Sequence, residues 1–170
     1  MQLYKGYIKT KDKQAAQKFK GVKKFKTLDE VKNLDEYAGV LADGVILIDI
    51  DDGEQSEILM NIVEDKQLDC KVTQTSRGRH FVFKNSGVTQ CYTHVKLACG
   101  LTADIKIGDH NSYQVLKFGG EERFVEWDVE PDKDYGELPK WLSRLNIERI
   151  SFRWAKGKDE TARYSLIFSH

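Results

Sequence analysis

Residues 45–53 read Val45-Ile46-Leu47-Ile48-Asp49-Ile50-Asp51-Asp52-Gly53, an apolar run that ends in closely spaced aspartates. Because side chains alternate between the two faces of a strand, Val45, Leu47 and Asp49 share one face. Asp51 shares it too, about 6–7 Å further along. Two carboxylates at the end of a buried strand are costly unless a cation lies beside them. A divalent ion, Mg²⁺ or Mn²⁺, meets that need, and a solvated acidic turn is the alternative. Asp52 points to the opposite face, so we expect it to be dispensable for such a site.

The chain has 170 residues and 40% hydrophobic content, enough for one sizeable core. Basic and acidic residues balance at 27 each, but they are unevenly placed. Residues 1–28 contain nine lysines and one acid, whereas residues 121–137 contain eight acids and two bases. This asymmetry suits a polyanion running along one side of the molecule, and a solvated lysine-rich face is the alternative.

Targeting signals are lacking in the sequence. Three cysteines at irregular spacing do not form a disulfide framework and fit a reducing cytosol. The N-terminal residues hold no apolar run typical of a signal peptide, and no window reaches the length of a membrane span. We therefore predict a soluble cytoplasmic protein with no membrane partner. The apolar end of the chain indicates a piece of a longer protein, with a short native C-terminus as the alternative.

Hydrophobic periodicity predicts an α+β fold, in which helices cover one side of a sheet. A strong amphipathic helix is predicted over residues 55–66, where Ile58, Leu59, Ile62 and Val63 recur at helical spacing. Thr27 and Glu30 have the spacing of a helix capping box. The other predicted elements are a helix over 11–20, strands over 2–9, 72–76, 80–84 and 149–154, a loop and then a buried strand within 39–51, a hairpin of 102–107 with 112–118, and helices over 138–145 and 160–169.

Three segments carry the residues suited to catalysis. They are the Asp49–Asp51 pair, the strand–turn–strand segment 73–83, and Asp104 inside an apolar strand. The three carboxylates suit a metal pair that acts on a nucleoside triphosphate, which also needs cationic and hydrogen-bonding groups for its phosphates. The predicted phosphate ligands are Ser76, Arg77, Gly78, Arg79, His80 and Lys106, with Gly78 allowing close approach.

Each of these residues also has a structural alternative. A histidine that opens a strand is often a satisfied structural residue. Arg77 and Arg79 can be ordinary charges of a hairpin turn, and Asp104 can pair with Lys106. The order of the three segments along the chain favours the joint, functional interpretation.

In that order the segments resemble the motifs of the archaeo-eukaryotic primase superfamily, in particular its phage and plasmid primase–polymerase (Prim-Pol) domains. The D-x-D motif corresponds to Asp49-Ile50-Asp51, the small-residue-x-His motif to Gly78-Arg79-His80, and the hydrophobic-Asp motif to Ala103-Asp104. The resemblance covers about residues 37–118, including the lead-in Glu36-Tyr37-Ala38-Gly39-Val40.

The resemblance implies an RRM-like catalytic sheet packed against a small N-terminal α/β unit. The implied domains are a basic N-terminal unit (1–36), a catalytic core (37–138) and a C-terminal helical segment (139–170). Asp49, Asp51 and Asp104 would hold two Mg²⁺ or Mn²⁺ ions, and His80 would contact the phosphates of the incoming nucleotide. The implied partners are a single-stranded DNA template, a primer, dNTPs or NTPs, and a helicase domain or subunit, in the cytoplasm of a bacterial host.

The chain also departs from the family pattern. Many relatives carry a proline-containing segment after the third motif, where this chain has Leu116-Lys117-Phe118-Gly119-Gly120. Some relatives carry a zinc-binding insertion, and Cys91, His94 and Cys99 lie at the matching place. A structural zinc needs four ligands, and Cys70 or His110 would have to supply the fourth. Buried cysteines in a β-region are the default interpretation, so we do not expect structural zinc.

The leading hypothesis is therefore a primase–polymerase domain of a phage or mobile-element replication protein. A metal-dependent nuclease with His80 as base and a non-catalytic DNA-binding module with a vestigial acidic site are the alternatives. Trp127, Trp141 and Trp154 can stack on bases, although large aromatics beside short helices more often pack in a core.

Overall fold

The computed structural model describes residues 1–19, 21–22 and 24–145. Within them the chain forms two antiparallel β-sheets and one α-helix, which confirms the predicted α+β class. The strands of the five-stranded sheet are β1 (Tyr4–Lys11), β2 (Gln14–Ala15), β3 (Tyr37–Leu41), β9 (Tyr113–Phe118) and β10 (Glu121–Glu122). The strands of the six-stranded sheet are β4 (Val45–Ile50), β5 (Lys71–Gln74), β6 (Arg79–Lys84), β7 (Tyr92–Lys96), β8 (Thr102–Ile107) and β11 (Val125–Trp127).

Strands that are neighbours in a sheet are often not consecutive in the chain. The strand order is β10-β9-β3-β1-β2 in the five-stranded sheet and β11-β5-β6-β4-β8-β7 in the six-stranded sheet. Helix α1 (Gly53–Lys66) connects β4 to β5, and β6 lies between those two strands, which makes a split β-α-β unit. Strands β1 and β2 of the predicted N-terminal unit share their sheet with β3 and β9, which fall within the predicted core.

Helix α1 confirms the predicted amphipathic helix. It begins after Asp52, whose side chain accepts a hydrogen bond from the Gln55 amide (2.8 Å) and so caps the first turn. Leu59, Met60 and Val63 are buried against the six-stranded sheet. Ile58 was predicted on the same apolar face but is 52% exposed, because the buried stripe lies about one residue further round the helix.

The core explains why residues 45–50 are almost continuously apolar. On one face of β4, Ile46, Ile48 and Ile50 pack beneath α1. On the other face, Val45 and Leu47 pack against the five-stranded sheet. The predicted alternation of faces is therefore confirmed, and β4 is buried on both sides, as such runs require.

The chain passes from one sheet to the other at three places, of which two are adjacent. Residues 42–44 connect β3 to β4, and a 3₁₀ turn (Gly108–His110) connects β8 to β9. A Cβ atom at Gly108 would lie 1.8 Å from the Ala42 carbonyl oxygen, so glycine lets the two crossings touch. The predicted hairpin of 102–107 with 112–118 is wrong, because β8 pairs with β4 and β7 while β9 pairs with β3 and β10. Residues 39–41, predicted as the start of a loop that leads into the buried strand, are instead the end of β3.

The N-terminal segment also differs from its prediction. Asp12 and Lys13 both have positive φ (50° and 65°), the pattern of a type I′ turn, and they join β1 to β2 as a hairpin. The predicted helix over 11–20 is therefore wrong over the described residues, since consecutive left-handed residues interrupt a helix. Glu30 Oε2 accepts from the Thr27 amide (2.8 Å), as in a capping box, and also from the Thr27 hydroxyl (3.1 Å), but turns rather than a helix follow.

Near the end of the described chain, a 3₁₀ turn (Lys140–Leu142) stands where the helix over 138–145 was predicted. Trp127 and Trp141 pack against the core, and the Trp127 indole donates to the Leu68 carbonyl oxygen (2.9 Å), which favours the packing alternative. Trp154 and the elements predicted over 149–154 and 160–169 lie outside the described residues. In the described part of the chain, no helix has the length and apolarity needed to cross a membrane.

Candidate functional site

The six-stranded sheet brings the three predicted motifs into one row. Asp49 on β4 is directly opposite His80 on β6, and on its other side it is directly opposite Asp104 on β8. Residues directly opposite on antiparallel strands point to the same face with closely spaced side chains. The strand register therefore places these three side chains next to one another, although they are far apart in the sequence.

This row lines a cleft between the two sheets with a volume of about 580 Å³. The cleft begins where the apolar contact of Val45 and Leu47 with the five-stranded sheet ends. Of the predicted site residues, those that line it are Asp49, Asp51, Ser76, Arg77, His80, Asp104 and Lys106. The opposite wall adds Lys13, Phe19, Tyr113 and Arg123, none of which the motif pattern identified.

Asp49 is the most buried carboxylate of the cleft, with 9% of its surface exposed. Its Oδ2 atom accepts a hydrogen bond from Lys106 Nζ at 2.6 Å. His80 Nε2 lies 3.3 Å from its Oδ1 atom but off the hydrogen-bonding direction, so Oδ1 is buried without a donor among the described residues. Burial acts to raise the pKa of Asp49, but His80 and Lys106 outweigh it and hold that pKa well below its usual range.

The orientation of His80 is set by the five-stranded sheet. The Tyr4 hydroxyl donates to Gln114 Oε1 (2.7 Å), and Gln114 Nε2 lies 3.2 Å from His80 Nδ1. Burial raises the pKa of Tyr4, which keeps its hydroxyl protonated and able to donate. Gln114 thus presents its amide N–H to His80 and Nδ1 accepts, which leaves the ring N–H on Nε2, 3.3 Å from Asp49 Oδ1 but not aligned with it. Gln114 is buried in strand β9 by the packing of the two sheets, which the sequence does not reveal, so this contact was not predicted.

The turn between β5 and β6 positions Ser76 and Arg77 at the cleft. A Cβ atom at Gly78 would lie 1.9 Å from the Ile50 carbonyl oxygen, so only glycine lets the turn approach the end of β4 this closely. Arg77 Nη2 bonds Asp51 Oδ2 (2.5 Å), and both side chains are largely exposed. Gly78 was predicted to allow close approach to phosphates, but it does not line the cleft, and the close approach that it allows here is to the end of β4.

Asp104 is oriented by a strained backbone rather than by a cation. The His94 amide donates to Asp104 Oδ1 (2.7 Å), and His94 has a positive φ of 51° in an irregular part of the β7–β8 pairing. The alternative in which Asp104 pairs with Lys106 is not what the structure has, because Lys106 bonds Asp49. Nothing in the sequence indicates the His94 contact.

Of the predicted phosphate ligands, Gly78 and Arg79 do not line the cleft, and Arg79 points away from it. It lies opposite Ile50, and both side chains point to the α1 face of the sheet. Its guanidinium is only slightly exposed and bonds Glu126 twice (2.6 and 2.9 Å), Glu57 (2.7 Å) and Ser56 (3.1 Å). These bonds raise the pKa of Arg79 and tie α1, β6 and β11 together. Arg79 is thus a structural link beneath the row that contains His80.

The donor set of the cleft fits a hard divalent cation in its chemistry. Asp49, Asp51 and Asp104 supply carboxylate oxygens on one face, and Asp49 Oδ1 is a buried oxygen without a hydrogen-bond donor. In this conformation, however, no three His, Cys, Asp or Glu side chains of the described residues converge as a metal-binding group. Lys106 and Arg77 are the cations now beside Asp49 and Asp51.

The cleft therefore combines three carboxylates with cations from both sheets and a histidine held in one orientation. Such a combination can bind a phosphorylated ligand together with a metal ion. Comparisons of the chain with protein-family models, with curated proteins and with solved structures find no match.

Proposed function

We propose that the chain is a DNA primase–polymerase domain. It would transfer nucleotides from dNTPs or NTPs to a primer or an initiating nucleotide on a single-stranded DNA template. The observation that carries this proposal is the cross-strand row of His80, Asp49 and Asp104, because it unites the three motifs on one face of a cleft. The proposed setting is a phage or mobile-element replication protein, acting with a helicase in the cytoplasm of a bacterial host.

The order of the strands supports an RRM-like catalytic sheet. Strands β5-β6-β4-β8, with α1 between β4 and β5, follow the order of a split β-α-β unit extended by a fourth strand. In the complete RRM-like order a second helix would connect β6 to β8, and in this chain strand β7 lies between them in sequence. The proposed catalytic face is the one turned away from α1.

The proposed roles follow from position and charge. Asp49, Asp51 and Asp104 would hold Mg²⁺ or Mn²⁺, which when bound supplies Lewis-acid stabilisation of charge on the phosphates. Lys106 and Arg77, which now pair with Asp49 and Asp51, are the cations placed to contact a triphosphate. His80 directs its Nε2 proton into the same region, where it can donate to a phosphate oxygen, and Ser76 adds a hydroxyl.

One observation favours the non-catalytic alternative. The ion pairs of Lys106 with Asp49 and of Arg77 with Asp51 already neutralise two of the three carboxylates without a metal ion. A module that only binds DNA would keep these ion pairs permanently. The polymerase proposal instead requires that they open when a nucleotide and metal ion bind.

A primer-extension assay separates these functions. The purified chain is incubated with a labelled primer on a single-stranded DNA template, with dNTPs or NTPs and with Mg²⁺ or Mn²⁺, and parallel reactions omit the primer. We expect template-dependent extension and release of pyrophosphate. Shortening of the strands without nucleotides would indicate the nuclease, and binding without extension or cleavage would indicate the non-catalytic module.

Matched variants assign the activity to the cleft. Asp49→Asn combined with Asp51→Asn should reduce extension to background while preserving side-chain volume. Asp52→Asn removes a carboxylate from the same acidic segment but keeps the helix cap, so it should extend the primer like the wild type. Normal extension by the Asp49→Asn and Asp51→Asn double variant would contradict the proposal.

A further inference from the structure

The cleft continues at one end into a shallow groove of about 290 Å³, which shares Thr75, Ser76 and Arg123 with it. Phe118 and Phe124 line this groove. Phe124 is 65% exposed, more than any other large hydrophobic side chain of the described residues, and Phe118 is 37% exposed. We call Lys13, Phe118, Arg123 and Phe124 the rim platform. Two neighbouring exposed aromatic rings at the mouth of a polar cleft are a feature that folding does not require.

The backbone of the rim platform is fixed, so the exposure of its rings does not come from a loose loop. The Arg123 amide donates to the Leu116 carbonyl oxygen in the five-stranded sheet (2.7 Å). The Phe124 carbonyl oxygen accepts from the Gln74 amide in the six-stranded sheet (2.9 Å). The segment therefore bridges the two sheets and holds Phe124 outward.

Two cations lie over the Phe118 ring. Lys13 Nζ lies 4.8 Å from the centre of the Phe118 ring, and the Arg123 guanidinium carbon lies 5.8 Å from it. The Arg123 Nε atom is buried without a hydrogen-bond partner among the described residues. Glu121 and Glu122 also line the groove, and Glu122 is turned toward the Tyr37 hydroxyl (2.9 Å). A polyanion would therefore run along the Lys13 and Arg123 side, away from these acids.

We propose that the rim platform binds a single-stranded nucleic acid where it leaves the cleft. Its bases stack on Phe118 and Phe124, and its phosphates face Lys13 and Arg123. Aromatic stacking combined with cations is how proteins hold unpaired strands without reading their sequence. The identification of this strand as the template rests on the proposed function. The binding itself needs neither nucleotide nor metal ion.

The test is binding of fluorescently labelled oligo(dT) to the full chain, measured by anisotropy without nucleotide or divalent metal. Phe124→Ala and Phe118→Ala should each weaken binding about tenfold or more, whereas Phe124→Trp should preserve it. Ile58→Ala, which truncates another exposed apolar side chain on the far side of the six-stranded sheet, should leave the affinity within about twofold. Arg123→Gln should lower the slope of log affinity against log salt by about 0.7.

The outcomes separate this inference from the proposed function. Equal affinity of wild type, Phe124→Ala and Phe118→Ala, or tighter binding of a blunt duplex, would overturn the rim platform even if the chain extends primers. Phenylalanine-dependent binding in a chain that never extends primers would retain the rim platform and overturn the polymerase proposal.

Discussion

At the scale of single residues, the site depends on a chain of contacts that joins the two sheets. Tyr4 and Gln114 belong to the five-stranded sheet, while His80, Asp49 and Lys106 belong to the six-stranded sheet. Each contact fixes the donor or acceptor role of the next, so the tautomer of His80 is determined by residues from the other sheet. Gln114 is therefore a positioning residue for His80.

Gln114→Leu tests this role, because leucine has a similar size but no amide group. Without the amide donor, Nδ1 of His80 loses the contact that keeps it unprotonated, and we expect the ring to populate both tautomers. Long-range ¹H–¹⁵N spectra of the imidazole ring measure the tautomer ratio. The Tyr4 hydroxyl also loses its acceptor, which should cost about 1–3 kcal/mol of unfolding free energy.

Tyr4→Phe is the matched control, because it leaves the Gln114 amide in place but removes the group that orients it. We expect a smaller change in the tautomer ratio than in Gln114→Leu. A His80 tautomer ratio that is the same in wild type and Gln114→Leu would contradict the positioning role.

At the scale of elements, the acidic segment at the start of helix α1 contains an aspartate that contributes to stability but not to the proposed activity. Asp52 caps α1 through the Gln55 amide and does not line the cleft. Asp52→Ala should lower the unfolding free energy by about 1 kcal/mol, and Asp52→Asn by much less, since asparagine also caps. Urea titrations followed by circular dichroism give both values. Loss of primer extension in a folded Asp52→Ala protein would show that the assignment of faces is wrong.

The turn between β5 and β6 is the second element whose geometry can be tested. Gly78→Ala would place a methyl group against the Ile50 carbonyl oxygen, so the turn must move away from the end of β4. We expect a loss of about 1–3 kcal/mol of unfolding free energy, together with weaker activity, because Ser76 and Arg77 move with the turn.

Gly53→Ala is the control for this turn, since its new Cβ atom would meet the Arg77 carbonyl oxygen at an ordinary 3.7 Å. Thermal unfolding of both variants compares them directly. A Gly78→Ala protein as stable as Gly53→Ala would contradict the close approach.

Elements with a local signal could be predicted from the sequence. The alternation in β4 and the helical spacing of α1 are properties of neighbouring residues, and both predictions are confirmed. The β1–β2 hairpin was missed because its turn is Asp12-Lys13, whose positive φ angles have no glycine or asparagine to mark them. The partners of β8 and β9 were missed because sheet membership depends on packing between distant segments.

At the scale of the whole molecule, the site also has residues that the sequence could predict and residues that reach it only through packing between distant segments. The sequence identified seven of the residues that line the cleft from the side of the six-stranded sheet, because they belong to an ordered set of motifs. The prediction also included Arg79, because an arginine next to His80 cannot be distinguished in the sequence from a phosphate ligand. The alternation of side chains along β6 turns Arg79 to the α1 face instead. The sequence could not identify Gln114, Lys13 or Arg123, since these reach the cleft only through the packing of one sheet on the other.

The cysteines report on the integrity of the whole fold. Burial, together with the charges of Asp128 and Asp69, raises the pKa of Cys70 to about 12, whereas Cys91 and Cys99 are exposed. A thiol reagent at pH 8 should therefore modify Cys91 and Cys99 rapidly and Cys70 only after unfolding. Mass spectrometry of the digested protein identifies each site. Rapid modification of Cys70 in the folded protein would contradict the packing of the core.

The raised pKa of Cys70 also predicts that the free energy of unfolding depends on pH. Unfolded Cys70 ionises near pH 8.5, but folded Cys70 stays neutral until about pH 12. The contribution of Cys70 is thus fully present below pH 8.5 and is lost as the pH rises toward 12. Between pH 8.5 and pH 10 the wild type should lose about 2 kcal/mol more than Cys70→Ala. Parallel losses in urea titrations of the two proteins would contradict this.

The most direct test of the central claim is calorimetric titration of a dNTP into the chain, with and without Mn²⁺. If the row of His80, Asp49 and Asp104 is a metal-dependent nucleotide site, the wild type and Asp52→Asn bind the dNTP only when Mn²⁺ is present. Asp49→Asn and Asp104→Asn then bind it weakly or not at all. Equal dNTP binding by the wild type and Asp49→Asn, or binding by the wild type that does not need Mn²⁺, would contradict the claim.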